Sequence, residues 1–314
     1  MKKVLFIFVA FVAIVFSSCS NEMTSVAPPT TPNKIEGSAK QAALAALQGQ
    51  IATINNSACI STPETRGLGS FFRRLWRVVY TDAVGAIFGF KFGPVGSVVG
   101  AAACSTFTGV QDEMNSRATL EQSNLEFKYK LNDDLSDLVP ITDTETQPTI
   151  QDSIGYLHNK AILNLNKELK PISINSIPVL LQDEVKAEMP KQYTFTPTDS
   201  INLNQTYQMF VKNEQAFTGN DIDTYEKHLV ACYPQQSGEI KVVSEFLKGI
   251  SSIEAESEKE YIKTILKLID EANLSAEVKQ SLRNGVIVGN ASHRLWQLKP
   301  KSDFQNNKFT DNNK

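Results

Sequence analysis

The stretch Asp82-Ala-Val-Gly85-Ala-Ile-Phe-Gly89-Phe-Lys-Phe-Gly93-Pro-Val-Gly96-Ser-Val-Val-Gly100 decides how the chain is read. Gly85, Gly89 and Gly93 are four apart, and so are Gly96 and Gly100. On a helix, positions four apart share one face. A row of glycines flattens that face, so a second backbone can approach closely. Each glycine costs about 1 kcal/mol of helix stability relative to Ala, and five of them imply close packing that offsets the loss. Gly93-Pro94 interrupts the run. The pattern therefore predicts two helical arms, Phe71 to about Phe92 and Val95 to Thr106, joined as a tight hairpin whose glycine faces pack on each other or on the rest of the domain. An alternative places the arms in a bilayer, where small-xxx-small rows join helices. Arg73, Arg74, Trp76 and Arg77 would then sit at headgroup level. Length opposes a simple span, because Val95–Thr106 makes about 18 Å of helix against about 30 Å of hydrocarbon. A continuous span from Ala83 to Ala103 would carry Lys91 and Pro94 in its middle.

Outward from this segment the chain reads as helical. Before it, Ala43, Leu44, Leu47, Ile51 and Ile54 fall at helical spacing. Residues 111–150 are polar and poorly periodic, with one candidate strand near Glu126–Leu131. Amphipathic helices follow, marked by Ile154 to Leu169, Leu180 to Met189, Asp199 to Phe217, Asp221 to Cys232, Ile240 to Ile250, Glu256 to Ala272, and a last one from Ser275 to Trp296. Prolines 171, 190 and 234 stop three of them. The fold class expected is all-α, a multi-helix domain with the hairpin near its N-terminal end. Residues 36–110 hold the first helix and the hairpin, 111–150 an irregular connection, 151–298 the helical domain, and 299–314 a polar tail expected to be disordered.

At the N-terminus, Met1-Lys2-Lys3 precedes an apolar run, Val4–Phe16, and then Ser17-Ser18-Cys19. Charged, apolar and small-residue zones in that order form a secretory signal over residues 1–18. Thirteen helical residues span about 20 Å, too short for a permanent crossing. The Ser-Ser-Cys ending resembles a bacterial lipoprotein signal, although Phe16 stands where Leu is commoner. That resemblance implies a diacylglyceryl group on Cys19, which becomes the new N-terminus, and acyl chains that anchor the protein to a membrane. Ser20, not Asp, follows, which favours an outer membrane. Residues 19–35 are the lipidated cysteine and a flexible, proline-bearing tether.

Composition narrows the chemistry. The formal net charge is −3, so no whole-chain field attracts nucleic acid. No cofactor or metal motif is present. The three histidines, His158, His228 and His293, form no HExxH pattern. His228 and Cys232, four apart on one helix, are too few for a zinc site and lack an oxyanion hole for a catalytic pair. The glycines lack the Lys-Ser/Thr of a phosphate loop. Glu254, Glu256, Glu258 and Glu260 open a helix, where acidic side chains suit its dipole. His158 and Asn159 interrupt an apolar helix. Either they hydrogen-bond a neighbouring loop and fix packing, or they touch a ligand. Cys59 and Cys104 bracket the first arm, which leaves a disulfide between them conceivable.

The lipoprotein-like start, the Asp82-Ala-Val-Gly85-Ala segment, the Gly155-x-x-His158-Asn159 helix and the ending Ala291-Ser292-His-Arg-Leu295-Trp296 occur in an order that resembles uncharacterised, mostly helical exported proteins of Bacteroidota-type bacteria. The resemblance implies an exported, helical protein and transfers no catalytic residue. The expected role is therefore a lipid-anchored cell-envelope protein, structural or partner-binding, with contact through the glycine face or the His158/Asn159 region. The alternatives are a membrane-active protein whose hairpin inserts and a hydrolase whose site no local motif reveals.

Overall fold

A computed structural model describes residues 33–58, 71–116, 125–126, 150–167, 171–189, 193–219, 222–253 and 255–296. Cys19 with its tether up to residue 32, Cys59 and the tail from 297 lie outside the described residues, and residues 33–35, read as the end of the tether, belong instead to the first helix. The chain divides into two units, Met1–Ser38 and Ala39–Lys314, and the account below concerns the second.

The fold is all-α, as the periodicity dictates. Its helices are α1 (Asn33–Ala58), α2 (Phe71–Gly89), α3 (Gly93–Ser116), α4 (Ile150–Lys167), α5 (Ile177–Glu188), α6 (Pro197–Ala216), α7 (Ile222–Cys232), α8 (Ser237–Ile250), α9 (Ala255–Glu271) and α10 (Ala276–Trp296). The only pairing of extended chain among the described residues is two residues long, Leu125 with Ile172 and Glu126 with Pro171. It touches one end of the candidate strand.

Helices α2 and α3 form the centre. A 3₁₀ turn, Phe90–Phe92, joins them, and Gly93 adopts φ +75°, a left-handed conformation that favours glycine. The arms run antiparallel and meet backbone to backbone. A Cβ on Gly89 would lie 2.0 Å from the Gly96 carbonyl oxygen, and one on Gly85 would lie 2.7 Å from that of Gly100. The remaining helices wrap this pair. On the outside, α2 is covered by α7, α8 and α10, and α3 by α4, α5 and α6. Helix α1 lays Leu44, Leu47 and Ile51 into the core, all essentially unexposed. Each such aliphatic side chain contributes about 1.5–3 kcal/mol on burial.

One boundary differs from expectation. The second arm does not end at Thr106 but continues to Ser116. Phe107 stays buried, and the threonine hydroxyls donate within the helix, Thr106 to Ala102 O at 2.6 Å and Thr108 to Cys104 O at 2.9 Å. Residues that look like breakers are thus satisfied without leaving the helix. The start of α6 is explicit in the sequence: Thr196 and Asp199 form a capping box around Pro197. The Thr196 hydrogen bonds hold the Asp199 carboxyl below its ordinary value.

Candidate functional site

Polar residues shut inside an apolar bundle are the first places to look for chemistry. The densest group lies where α2, α4 and α10 cross. Small residues allow the crossing: Gly289 meets Leu247 and Ala83, and Gly155 meets Ala291 and Ile287. Asp82, His158 and Ser292 are 0% exposed and Asn159 is 1% exposed. The Ser292 hydroxyl donates to Asp82 Oδ2. Asp82 Oδ1 is 3.2 Å from His158 Nε2, although the two are not aligned for a good hydrogen bond. His158 Nδ1 is 2.8 Å from Asn159 Oδ1, and Asn159 Nδ2 donates to the Ala291 carbonyl at 2.8 Å. A carbonyl only accepts, so Asn159 presents its NH₂ to Ala291 and its oxygen to the imidazole. Nδ1 of His158 therefore carries the hydrogen and Nε2 faces Asp82.

The residue types match those of a hydrolytic triad, but the order does not. A triad places the nucleophile on the imidazole and the carboxylate behind it. Here the serine lies on the carboxylate, Asp82 stands between Ser292 and His158, and all four groups are closed to solvent. The arrangement ties three helices together. The expected partner of His158 and Asn159 was a loop; the actual partners are helices. The two side chains are also enclosed, which removes them from contact with a soluble ligand.

A second buried carboxylate, Glu214 on α6, has both oxygens partnered. Arg77 Nη2 donates to it at 2.8 Å and Tyr225 Oη at 2.6 Å. The Arg77 guanidinium lies 5.5 Å from the Phe217 ring centroid and 5.6 Å from that of Tyr225. Burial, followed by the Glu214 charge, pushes the Tyr225 hydroxyl up. Arg77 is thus a structural cation, not a headgroup contact. Trp76 is half-buried and packs 5.2 Å from the Tyr80 ring. The side chains of Arg73 and Arg74 lie outside the described residues.

Gly85, Gly89, Gly96 and Gly100 face one another inside the hairpin and Gly93 makes its turn, so the glycine row is a closed internal seam and not an open contact surface. The stretch Trp76–Gly109 is long and apolar enough to cross a membrane by length and composition, but 67% of its apolar window is buried in the bundle. A gap of about 10 Å³, room for about one water, lies against this seam between Gly89, Cys104, Leu203 and Tyr207 and has an apolar lining.

His228 and Cys232 do meet. The sulfur is 3.7 Å from Nε2 and 4.0 Å from Nδ1, nearly equidistant from both nitrogens. It therefore sits against the ring and not at the end of one N–H. Nε2 itself donates to the Asn213 carbonyl at 3.0 Å. Burial, then Glu214, pushes the Cys232 thiol up, the opposite of an activated nucleophile. Cys104 is a free, buried thiol, pushed well up by burial and by Asp82 and Glu214. Among the described residues no cluster of His, Cys, Asp or Glu suits a metal ion. Of the acidic run, Glu258 is buried and accepts from Arg294 Nε at 2.8 Å, a tertiary role beyond the helix dipole. Sequence reasoning missed Asp82, Ser292 and Glu214 as members of these networks. The available signal was a polar residue set in an apolar helical run.

Comparison of the chain with protein-family models, with curated proteins and with solved structures returns no match.

Proposed function

We propose that the protein is a lipid-anchored component of a bacterial cell envelope, non-enzymatic, whose helical domain holds a structural or partner-binding position at a membrane. The observation that carries this reading is the order Lys2-Lys3, the apolar run to Phe16, then Ser17-Ser18-Cys19. The chemistry of the interior supports the non-enzymatic part: Ser292 bonds Asp82, Asn159 bonds Ala291 and Glu214 bonds Arg77 and Tyr225 across helices, and His158 beside them is closed to solvent. Two or more acyl chains give stable anchoring where one gives marginal binding. Mass spectrometry of the N-terminal peptide from the expressed full chain tests the reading. Acylated Cys19, with release of the protein into the soluble fraction on Cys19→Ala, is the expected result. An unmodified Cys19, or a protein that stays in the membrane after Cys19→Ala, contradicts it.

A second reading, insertion of the whole hairpin into a bilayer, keeps one favourable observation, the apolar length of Trp76–Gly109. It requires α2 and α3 to leave six covering helices. Dye leakage from vesicles by the full chain separates the two readings, because an anchored domain that stays folded causes none.

A further inference from the structure

The helices carry a register that fixes which end of the bundle each residue occupies. Gly285 of α10 meets both Val243 and Ile87, and Gly289 meets both Leu247 and Ala83. Helix α8 therefore runs antiparallel to α2, with Val243 level with Ile87 and Leu247 level with Ala83. Four residues further in each direction, about 6 Å of helix rise, Glu239 comes level with Lys91 at the hairpin tip. The contact of Tyr233, just before α8, with Phe88, whose ring centroids lie 4.3 Å apart with the planes tilted by 47°, agrees. Glu239 pairs with Lys40 at 2.7 Å, and Gly238 meets Leu44. Thus α1 enters the bundle at the hairpin-tip end. At its other end, Asn55 bonds to Glu245.

The tip is Phe90-Lys91-Phe92, two half-buried aromatic rings around an exposed lysine. The lysine ammonium lies 4.9 Å from the Phe92 ring centroid. Among the described residues no carboxylate pairs with it. The 3₁₀ turn beside it, Pro234–Gln236, carries no charge. Among the described residues, three of the four large exposed apolar side chains, Val179, Leu180 and Ile201, lie on the same half of the molecule, and Met209 lies further along α6. Leu203 lines the gap beside Gly89, while Glu214, further along α6, pairs with Arg77. Ile201, 60% exposed, therefore lies toward the tip. Pro178 lines the same gap and precedes Val179 and Leu180, both exposed.

We propose that this end of the bundle rests on the bilayer, with Phe90, Lys91 and Phe92 set among the lipid headgroups. Aromatic rings favour the interfacial zone, and a lysine there meets anionic phosphate while its stem covers apolar surface. The Gly93-Pro94 turn and the hairpin behind it hold the tip rigid, so little ordering entropy is lost on contact. The inference rests on the anchoring reading: thirteen residues separate Cys19 from Asn33, where α1 begins, and a linker of that length has a typical reach of about 18–22 Å. A tether attached at this end presents this end to the membrane.

The test uses the full chain, purified from membranes and reconstituted into vesicles of phosphatidylcholine with one fifth phosphatidylglycerol. Mass spectrometry of the N-terminal peptide reports acylation, and hydrogen exchange of residues 86–96 reports the tip. Exchange at the tip slowed at least about threefold relative to detergent-solubilised protein, with the slowing reduced by Lys91→Glu, supports the proposal. Acylated protein with unchanged tip exchange overturns it while leaving the anchor intact. If Cys19 is unmodified, the anchoring reading fails, and flotation of the same chain with the vesicles decides the tip: flotation lost on Lys91→Glu supports it, and no flotation overturns it. Slowed exchange only in native membranes, absent from the pure-lipid vesicles, assigns the tip to a protein partner and also overturns it. Lys91 is exposed, so Lys91→Glu leaves the fold in place. Phe90→Ser provides a second variant with the same expected direction.

Discussion

The seam between α2 and α3 and the crossing of α2 with α4 and α10 solve one problem in opposite ways. Both bring helix backbones close, and both use small residues to do it. In the hairpin, Gly85, Gly89, Gly96 and Gly100 leave no side chain between the backbones. At the crossing, Gly155, Gly289 and Ala291 make room for side chains, and the space fills with two hydrogen-bonded pairs, Ser292 on Asp82 and His158 on Asn159, that approach to 3.2 Å between Asp82 and His158. The first seam depends on the absence of atoms, so nothing can be added. The second depends on the hydrogen bonds of Ser292 to Asp82, His158 to Asn159 and Asn159 to Ala291, so removing one of these groups leaves its partner unsatisfied.

Substitution at the centre of the first seam gives the largest effect. Gly89→Leu places atoms where a Cβ alone would lie 2.0 Å from the Gly96 carbonyl oxygen. Loss of cooperative folding is expected, read by circular dichroism and urea titration. Gly89→Ala is expected to destabilise by about 3 kcal/mol or more, at or beyond the upper end for overpacked cores. A Gly89→Ala protein of normal stability would break the distinction between the seams.

Asp82→Ala leaves His158 and Ser292 without their shared partner in a closed interior. The expected loss is about 1–3 kcal/mol, the cost of leaving the buried Ser292 hydroxyl without its partner. The double variant Asp82→Ala with His158→Leu should recover part of that loss. A double-variant loss equal to the sum of the Asp82→Ala and His158→Leu losses would mean that the two side chains act independently and that the polar seam is not a unit.

His293, next to Ser292 on α10, adds a pH-dependent test. Burial is the main cause that lowers its imidazole below the ordinary value of 6.5; Arg294 also lowers it and Glu258 raises it. The unfolded chain then binds the proton more readily than the folded one, so this group's contribution to stability is lost as pH falls through the unfolded value. Stability measured by urea titration should decline below about pH 6.5, and His293→Gln should flatten the decline. A slope identical in the two proteins rules His293 out as its source.

The smallest effect is expected outside both seams. Gly49 sits exposed on α1, and a Cβ there meets nothing within 4 Å. Gly49→Ala should stabilise by about 0.5–1 kcal/mol through helix propensity alone, read as a higher Tm. Together with Gly89→Ala, it separates glycine that permits close approach from glycine that merely weakens a helix.

The sequence alone determined the helical fold class, the position of most helices, the existence of the hairpin and the place of its turn. Those follow from local rules: periodicity, the four-residue glycine spacing, the Gly93-Pro94 break, and proline and capping signals. It also showed that His158 and Asn159 were out of place in an apolar helix. It left open whether the glycine face closed on itself or lay open, and what answered His158. Only tertiary structure decided these points, because the partners are remote: Ser97 and Gly96 are near neighbours of the first arm, but Asp82 lies 76 residues from His158 and 210 from Ser292. A polar side chain announces that it needs a partner, and its own sequence neighbourhood does not say which one. The same holds for the tip. Phe90-Lys91-Phe92 is plain in the sequence, but that α1 enters beside it follows only from Lys40 on Glu239 and the antiparallel register of α8 on α2.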